Sequence, residues 1–167
     1  PNKDKFAIEI VGSSSDMVTM RELRSGNIKI HKSQSDSASL VAGAGEGILP
    51  SGTSLNGVNL SAVHFGKGVL TSGNGSALGD FHTLLLGTSI LGQPQNIDIQ
   101  GPASNGSKNP DGSVTFSGLG ILDMGDGTPA LTGVPFSVTA TTQGLTLTIG
   151  LTALPTASLS GGHITIE

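Results

Sequence analysis

The chain contains no cysteine, tryptophan or tyrosine, and only 12% of its 167 residues are charged. Without cysteine it cannot be a disulfide-stapled mini-protein, a cysteine-ligated zinc domain or a thiol enzyme. Its formal net charge of −4 argues against a nucleic-acid binder that works by neutralising phosphates. No run of apolar residues approaches the roughly 18 that a membrane-spanning helix needs, so we expect no membrane span.

Glycine is the residue that the sequence has in excess, with 26 of 167 positions against a usual share of about 7%. Glycine combined with serine, threonine and few charges is typical of short strands joined by tight turns. We therefore predict an all-β, antiparallel fold, a β-sandwich or a squat β-barrel of about 8–10 strands. The segments with strand character are 58–71, 77–86, 95–100, 113–122, 132–142, 145–151 and 162–167.

The charges are concentrated at the N-terminus, where residues 1–46 carry 12 of the 20 charged side chains. We interpret the whole of 1–167 as a single β domain that begins with this charged arm. Within the arm, Phe6, Ile8 and Ile10 alternate with other residues and predict a strand with one apolar face. Two interpretations of this strand stay open: an assembly strand that completes the sheet of a neighbouring subunit, and an ordinary strand within its own domain.

The rest of the arm predicts one short helix, a second short strand at 27–30 and a loop. Serines that can cap a helix precede 16–26, where Met and Leu recur at helical spacing before a glycine. Residues 32–47 are rich in Ser, Ala and Gly, and we expect a loop there. Further along, 109–112 reads Asn-Pro-Asp-Gly, and Gln143-Gly144 lies between two strand patterns, so both predict tight turns.

Two segments of the chain resemble each other, 65–78 and 118–131. Both contain Gly-x-Gly, an aliphatic pair and two further residues, followed by Gly, Asn or Asp, Gly, Ser or Thr, and finally Ala-Leu. The pattern predicts an internal repeat, with units at 58–100 and 107–167, each a hairpin followed by another strand. Its glycines supply the positive-φ backbone of a tight turn. One such unit cannot bury its apolar face alone, so the two must pair as a sandwich or join into a barrel.

Few polar residues form a pattern that points to chemistry. His64, His82 and Asp80 could bind a metal, but their spacing matches no ligand motif, and we prefer ordinary strand histidines. Asp123 and Asp126 are weak candidates for a calcium site, because Asp-Gly is also a common turn sequence. No nucleophile elbow and no complete phosphate-binding loop occurs, so we assign no catalytic residue and expect no cofactor.

The absence of a convergent polar site favours a non-enzymatic structural subunit of an extracellular or virion assembly. A surface filament, an adhesin and a capsid or tail component all fit this description. We expect a homo-oligomer that self-associates through β-strand edges.

Two alternatives stay open. One is a small-molecule-binding β-barrel that holds a small apolar ligand. Its pocket would be lined by Leu84, Leu86, Leu147 and Ile149. The other is a hydrolase or isomerase on the same barrel, which would need a buried His or Asp with a strongly shifted pKa.

Overall fold

The structure is a computed structural model that describes residues 38–167. Within this range, ten antiparallel strands form one sheet. The prediction of an all-β antiparallel fold is therefore confirmed. The predicted helix, the Phe6 strand and the short strand at 27–30 lie outside the described residues. The strands are β1 (Ser39–Ile48), β2 (Ser54–Leu55), β3 (Val58–Thr71), β4 (Ala77–Thr88), β5 (Ile97–Lys108), β6 (Val114–Asp123), β7 (Leu131–Thr141), β8 (Gly144–Ile149), β9 (Thr152–Ala153) and β10 (Ala157–Ile166).

The eight long strands form a squat, barrel-like ring. Each pairs with its neighbours along the chain, and β1 pairs with both β3 and β10, so the hydrogen-bonded ladder returns to its starting point. The strands β2 and β9 have two residues each and extend short turns beside β3 and β8. Short turns dictate this topology, because a tight turn can only bring the next strand back beside the previous one.

The expectation of a loop over 32–47 is wrong from Ser39 onward, because this stretch forms β1 and closes the ring. Its alternating Ala and Gly residues have low strand propensity, so the local sequence gave no signal. The glycines allow a close approach to β10: a Cβ on Gly43 or Gly45 would collide with the carbonyl oxygen of His163 or Gly161. Pairing on both sides thus overrides the local preference.

The interior of the ring is packed around three phenylalanines. The Phe81 ring centroid lies 5.7 Å from that of Phe116, edge to face, and 5.5 Å from that of Phe136, stacked. Gly118 and Gly120 leave the space that Phe136 fills, since a Cβ on either would lie within 3.4 Å of its ring. Aliphatic residues at alternating positions of β3 to β8 complete the core, including Val63, Leu85, Ile97, Ile99, Val114, Val138 and Leu147.

Three hairpin turns share one local sequence, Asn or Asp followed by Gly and then Ser or Thr. In each, the Oδ1 atom of the first residue accepts hydrogen bonds from the backbone N–H and the hydroxyl of the third. The central glycine has a φ between 83° and 88°, which a residue with a Cβ rarely adopts. The turns are Asn74-Gly75-Ser76, Asp111-Gly112-Ser113 and Asp126-Gly127-Thr128.

Both segments of the predicted repeat fall on hairpins. Residues 65–78 cover the end of β3, its turn and the start of β4, and residues 118–131 cover the same parts of β6 and β7. The repeat itself stays a prediction. The turn predicted at 109–112 connects β5 to β6, where the N–H of Gly112 donates to the carbonyl of Asn109.

Candidate functional site

The two aspartates considered for calcium take part in separate turns. Asp123 Oδ1 accepts the N–H of Gly125 at 2.8 Å, whereas Asp126 Oδ1 accepts the N–H and hydroxyl of Thr128. These bonds to Thr128 hold the pKa of the Asp126 carboxyl below its usual range. Within residues 38–167, no group of three or more His, Cys, Asp or Glu side chains comes together in a way that could hold a metal.

The histidines of β3 and β4 lie on the outside of the ring. His82 Nε2 is 2.7 Å from Asp98 Oδ2, and His64 Nε2 is 3.9 Å from Glu46 Oε1, both in exposed pairs. An open groove beside the His82–Asp98 pair is also lined by Gln100, Ile121, Asp123 and Ala130. No hydroxyl or amine side chain is among the residues that line this groove.

The four residues expected to line a ligand pocket do not share a face. Leu147 is buried in the interior with Ile149, while Leu84 and Leu86 flank the buried Leu85 and therefore point to the opposite side of the sheet. This expectation is wrong because a shift of one residue in the assumed alternation moves a side chain from one face to the other.

The ring has one weak seam, between β8 and β10. Only Ala157 and Ser158 of β10 are in register with β8, and Leu159 adds one hydrogen bond to the carbonyl of Gln143. Beyond Leu159, β10 runs past the β7–β8 turn, and 160–166 pairs only with β1 among the described residues. One edge of this stretch, the open edge of β10, therefore lacks a partner strand within residues 38–167.

The open edge presents both hydrogen-bonding groups and apolar side chains. Glu167 and Leu40 exchange both backbone hydrogen bonds, so the antiparallel pattern turns the N–H groups of Ile164 and Ile166 away from β1. Ile164 is buried, whereas Leu159 and Ile166 are only partly buried against the core. Such an edge can accept an added strand with an apolar inner face.

A row of exposed leucines begins next to this edge. Leu40, Leu70 and Leu78 are cross-strand neighbours on β1, β3 and β4, and their exposed fractions are 39%, 48% and 76%. Leu40 lies opposite Glu167, the residue that follows β10. The open edge and this leucine row lie on opposite sides of β10, and each is a candidate contact surface.

Lys67 is the one charged residue in the apolar interior of the described chain. It lies between Phe65 and Val69 on the inner face of β3, with 8% of its surface exposed. Its Nζ is 4.8 Å from the centroid of the Phe65 ring and has no hydrogen-bond partner in the part of the chain described. Burial lowers the pKa of its amine to about 8.

Sequence reasoning missed Lys67, although a signal was present. The predicted strand 58–71 alternates apolar and polar residues, and Lys67 occupies an apolar position in that alternation. No comparable signal pointed to the open edge of β10, because local sequence does not indicate which distant segments pair with each other.

Comparisons with known proteins add no information about these features. No protein-family model matches the chain, and no curated protein or solved structure is significantly similar to it. In residues 38–167 there is no helix with the length and apolar character to cross a membrane.

Proposed function

We propose that the protein is a structural subunit of an extracellular or virion assembly, in which the open edge of β10 accepts a strand from a neighbouring copy. The donated strand is the one predicted around Phe6, Ile8 and Ile10. The observation that carries this proposal is the edge of β10 at 160–166, which has no partner strand among residues 38–167.

The donor strand and the edge are complementary. Residues 6–11 match the length of the edge, and an added strand would take up its free N–H and C=O groups. The side chains of Phe6, Ile8 and Ile10 would cover the partly buried Leu159 and Ile166 at the border of the core. Covering apolar surface contributes about 25 cal/mol per Å², so the three side chains together supply several kcal/mol.

A second copy fits better than the chain's own arm. Residues 12–37 could span up to about 85 Å when extended, so chain length permits pairing within one subunit or between two. The exposed Leu40, Leu70 and Leu78 favour pairing between subunits, because a neighbouring subunit brings a surface that can cover them. A contact between two subunits would then account for both the open edge of β10 and the exposed leucines.

The test compares two triple-serine variants by light scattering and analytical ultracentrifugation of the full chain. One variant replaces Phe6, Ile8 and Ile10. The other replaces Ala7, Glu9 and Val11 on the opposite face of the same predicted strand. We expect the intact chain and the second variant to assemble and the first variant to stay monomeric.

A peptide of residues 1–12 should also bind a chain that lacks these residues, with a stoichiometry of one to one. The proposal is contradicted if the intact chain is monomeric at high concentration, or if the two variants assemble equally. A monomer that loses stability only in the first variant would indicate that the strand pairs within its own subunit.

A further inference from the structure

The amine of Lys67 is a feature of the interior that the proposed assembly does not use. Buried polar groups almost always have a hydrogen-bond partner, and a buried charge without one destabilises the fold. Lys67 Nζ is buried without such a partner among the described residues. When protonated, an amine held in this way has three N–H donors free for a ligand, and when neutral it has two donors and a free lone pair.

We propose that Lys67 is a binding site for an uncharged carbonyl compound, an aldehyde or ketone with an apolar body, which it holds as an imine. In this step the neutral amine attacks the carbonyl carbon and forms a C–N bond. The resulting carbinolamine loses its oxygen as water and leaves a C=N bond, so no oxidant or reductant is consumed.

The surroundings of Lys67 favour a carbonyl over an anion. Its cross-strand neighbours are Gly43 on β1 and Phe81 on β4, and neither carries a charge or a side-chain donor. The nearest buried hydroxyls along β3 and β4 are engaged: Thr71 donates to the carbonyl of Ser39, and Thr83 donates to that of His64. Oxyanion sites usually offer several donors, whereas here a single nitrogen is available.

Burial also keeps the amine reactive near neutral pH. With a pKa of about 8, roughly a tenth of Lys67 is uncharged at pH 7. A lysine with the ordinary pKa of about 10.4 is uncharged in only about one molecule in 2,500 at that pH. The apolar walls exclude water and so disfavour hydrolysis of an imine once it has formed.

The Lys67 amine lies close to β10 across the sheet. Across the sheet, Lys67 lies opposite Gly43, and Gly43 lies opposite Ile164 of β10. Only one strand therefore separates β3 from β10, and that strand has no side chain at this level.

The experiment traps the imine in the wild-type chain. Benzaldehyde and cyanoborohydride are added at pH 7, and the modified lysines are identified by peptide mapping with mass spectrometry. We expect Lys67 to be modified at least about tenfold faster than the exposed Lys108, despite its burial, because of its larger neutral fraction. Glyoxylate, a charged aldehyde, should show no such preference, and urea should abolish the preference for benzaldehyde.

Two variants check the assignment. Lys67→Arg keeps the charge but cannot form an imine, so it should lose the fast-reacting site, whereas Lys108→Arg should retain it. The inference is overturned if Lys67 of the folded chain reacts no faster than Lys108, or reacts equally fast in urea. The wild-type measurement holds even where the Lys67→Arg chain fails to fold.

Discussion

Replacing Lys67 with methionine is expected to stabilise the protein at neutral pH. The fall of the amine pKa from 10.5 to about 8 means that burying the protonated form costs the folded state about 3 kcal/mol. Methionine has similar length and needs no hydrogen bond, but it gives up the contact of the cation with the Phe65 ring, which contributes about 1 kcal/mol. The net gain is then about 2 kcal/mol, or roughly 4–8 °C in Tm.

The sign of this effect depends on pH. Below pH 8 the amine is protonated in both the folded and the unfolded chain, so the wild type bears the full penalty. Between pH 8 and 10.5 the folded chain releases its proton first, and the free energy of unfolding of the wild type rises. Above pH 10.5 the amine is neutral in both states and the penalty is gone. The advantage of Lys67→Met should therefore shrink as pH rises through this window.

Few other groups of the chain titrate in this pH range. Because cysteine and tyrosine are absent, only lysines and the terminal amine titrate between pH 8 and 10.5. Urea unfolding followed by circular dichroism at pH 7, 9 and 10.5 measures the effect, and Lys108→Met serves as the exposed control. The reasoning is refuted if Lys67→Met is no more stable than the wild type at pH 7, or if its advantage is the same at pH 10.5.

Three further predictions test the packing and the turns. Gly118→Ala should lower the free energy of unfolding by about 1–3 kcal/mol, because its Cβ would meet the carbonyl of Pro102 and the ring of Phe136. Gly66→Ala is the matched control and should be neutral or stabilising in the same urea titration, since its Cβ would meet nothing within 4 Å among the described residues. Phe81→Ala should cost about 3–5 kcal/mol by calorimetry, because it removes the ring that contacts both other core phenylalanines. Asp126→Asn should make the free energy of unfolding fall less on acidification. The pKa of the Asp126 carboxyl is lowered in the folded chain, so the ionised carboxylate stabilises the fold at neutral pH and this stabilisation is lost as the pH falls. Equal falls in the free energy of unfolding of the variant and the wild type would contradict this.

Local sequence predicted most of the strands and their turns. The strand predicted at 58–71 coincides with β3, because apolar residues recur at every second position along most of its length. The Asn-Pro-Asp-Gly turn at 109–112 was predictable from local sequence. The Asp111 side chain accepts a hydrogen bond from the backbone within the turn, and Gly112 adopts the positive φ that the turn needs. These features depend on interactions within a few residues, which the sequence contains in full.

Only the tertiary structure decided how the strands close and what closure buries. β1 forms although its Ala-Gly pattern disfavours a strand, because β3 and β10 pair with it from both sides. The same closure places the Lys67 amine inside the ring and leaves 160–166 of β10 without a second partner among the described residues. Sequence alternation determined which residues share a face of a strand. Which face became the interior, and which edge stayed open, was decided by pairing between segments far apart in the chain.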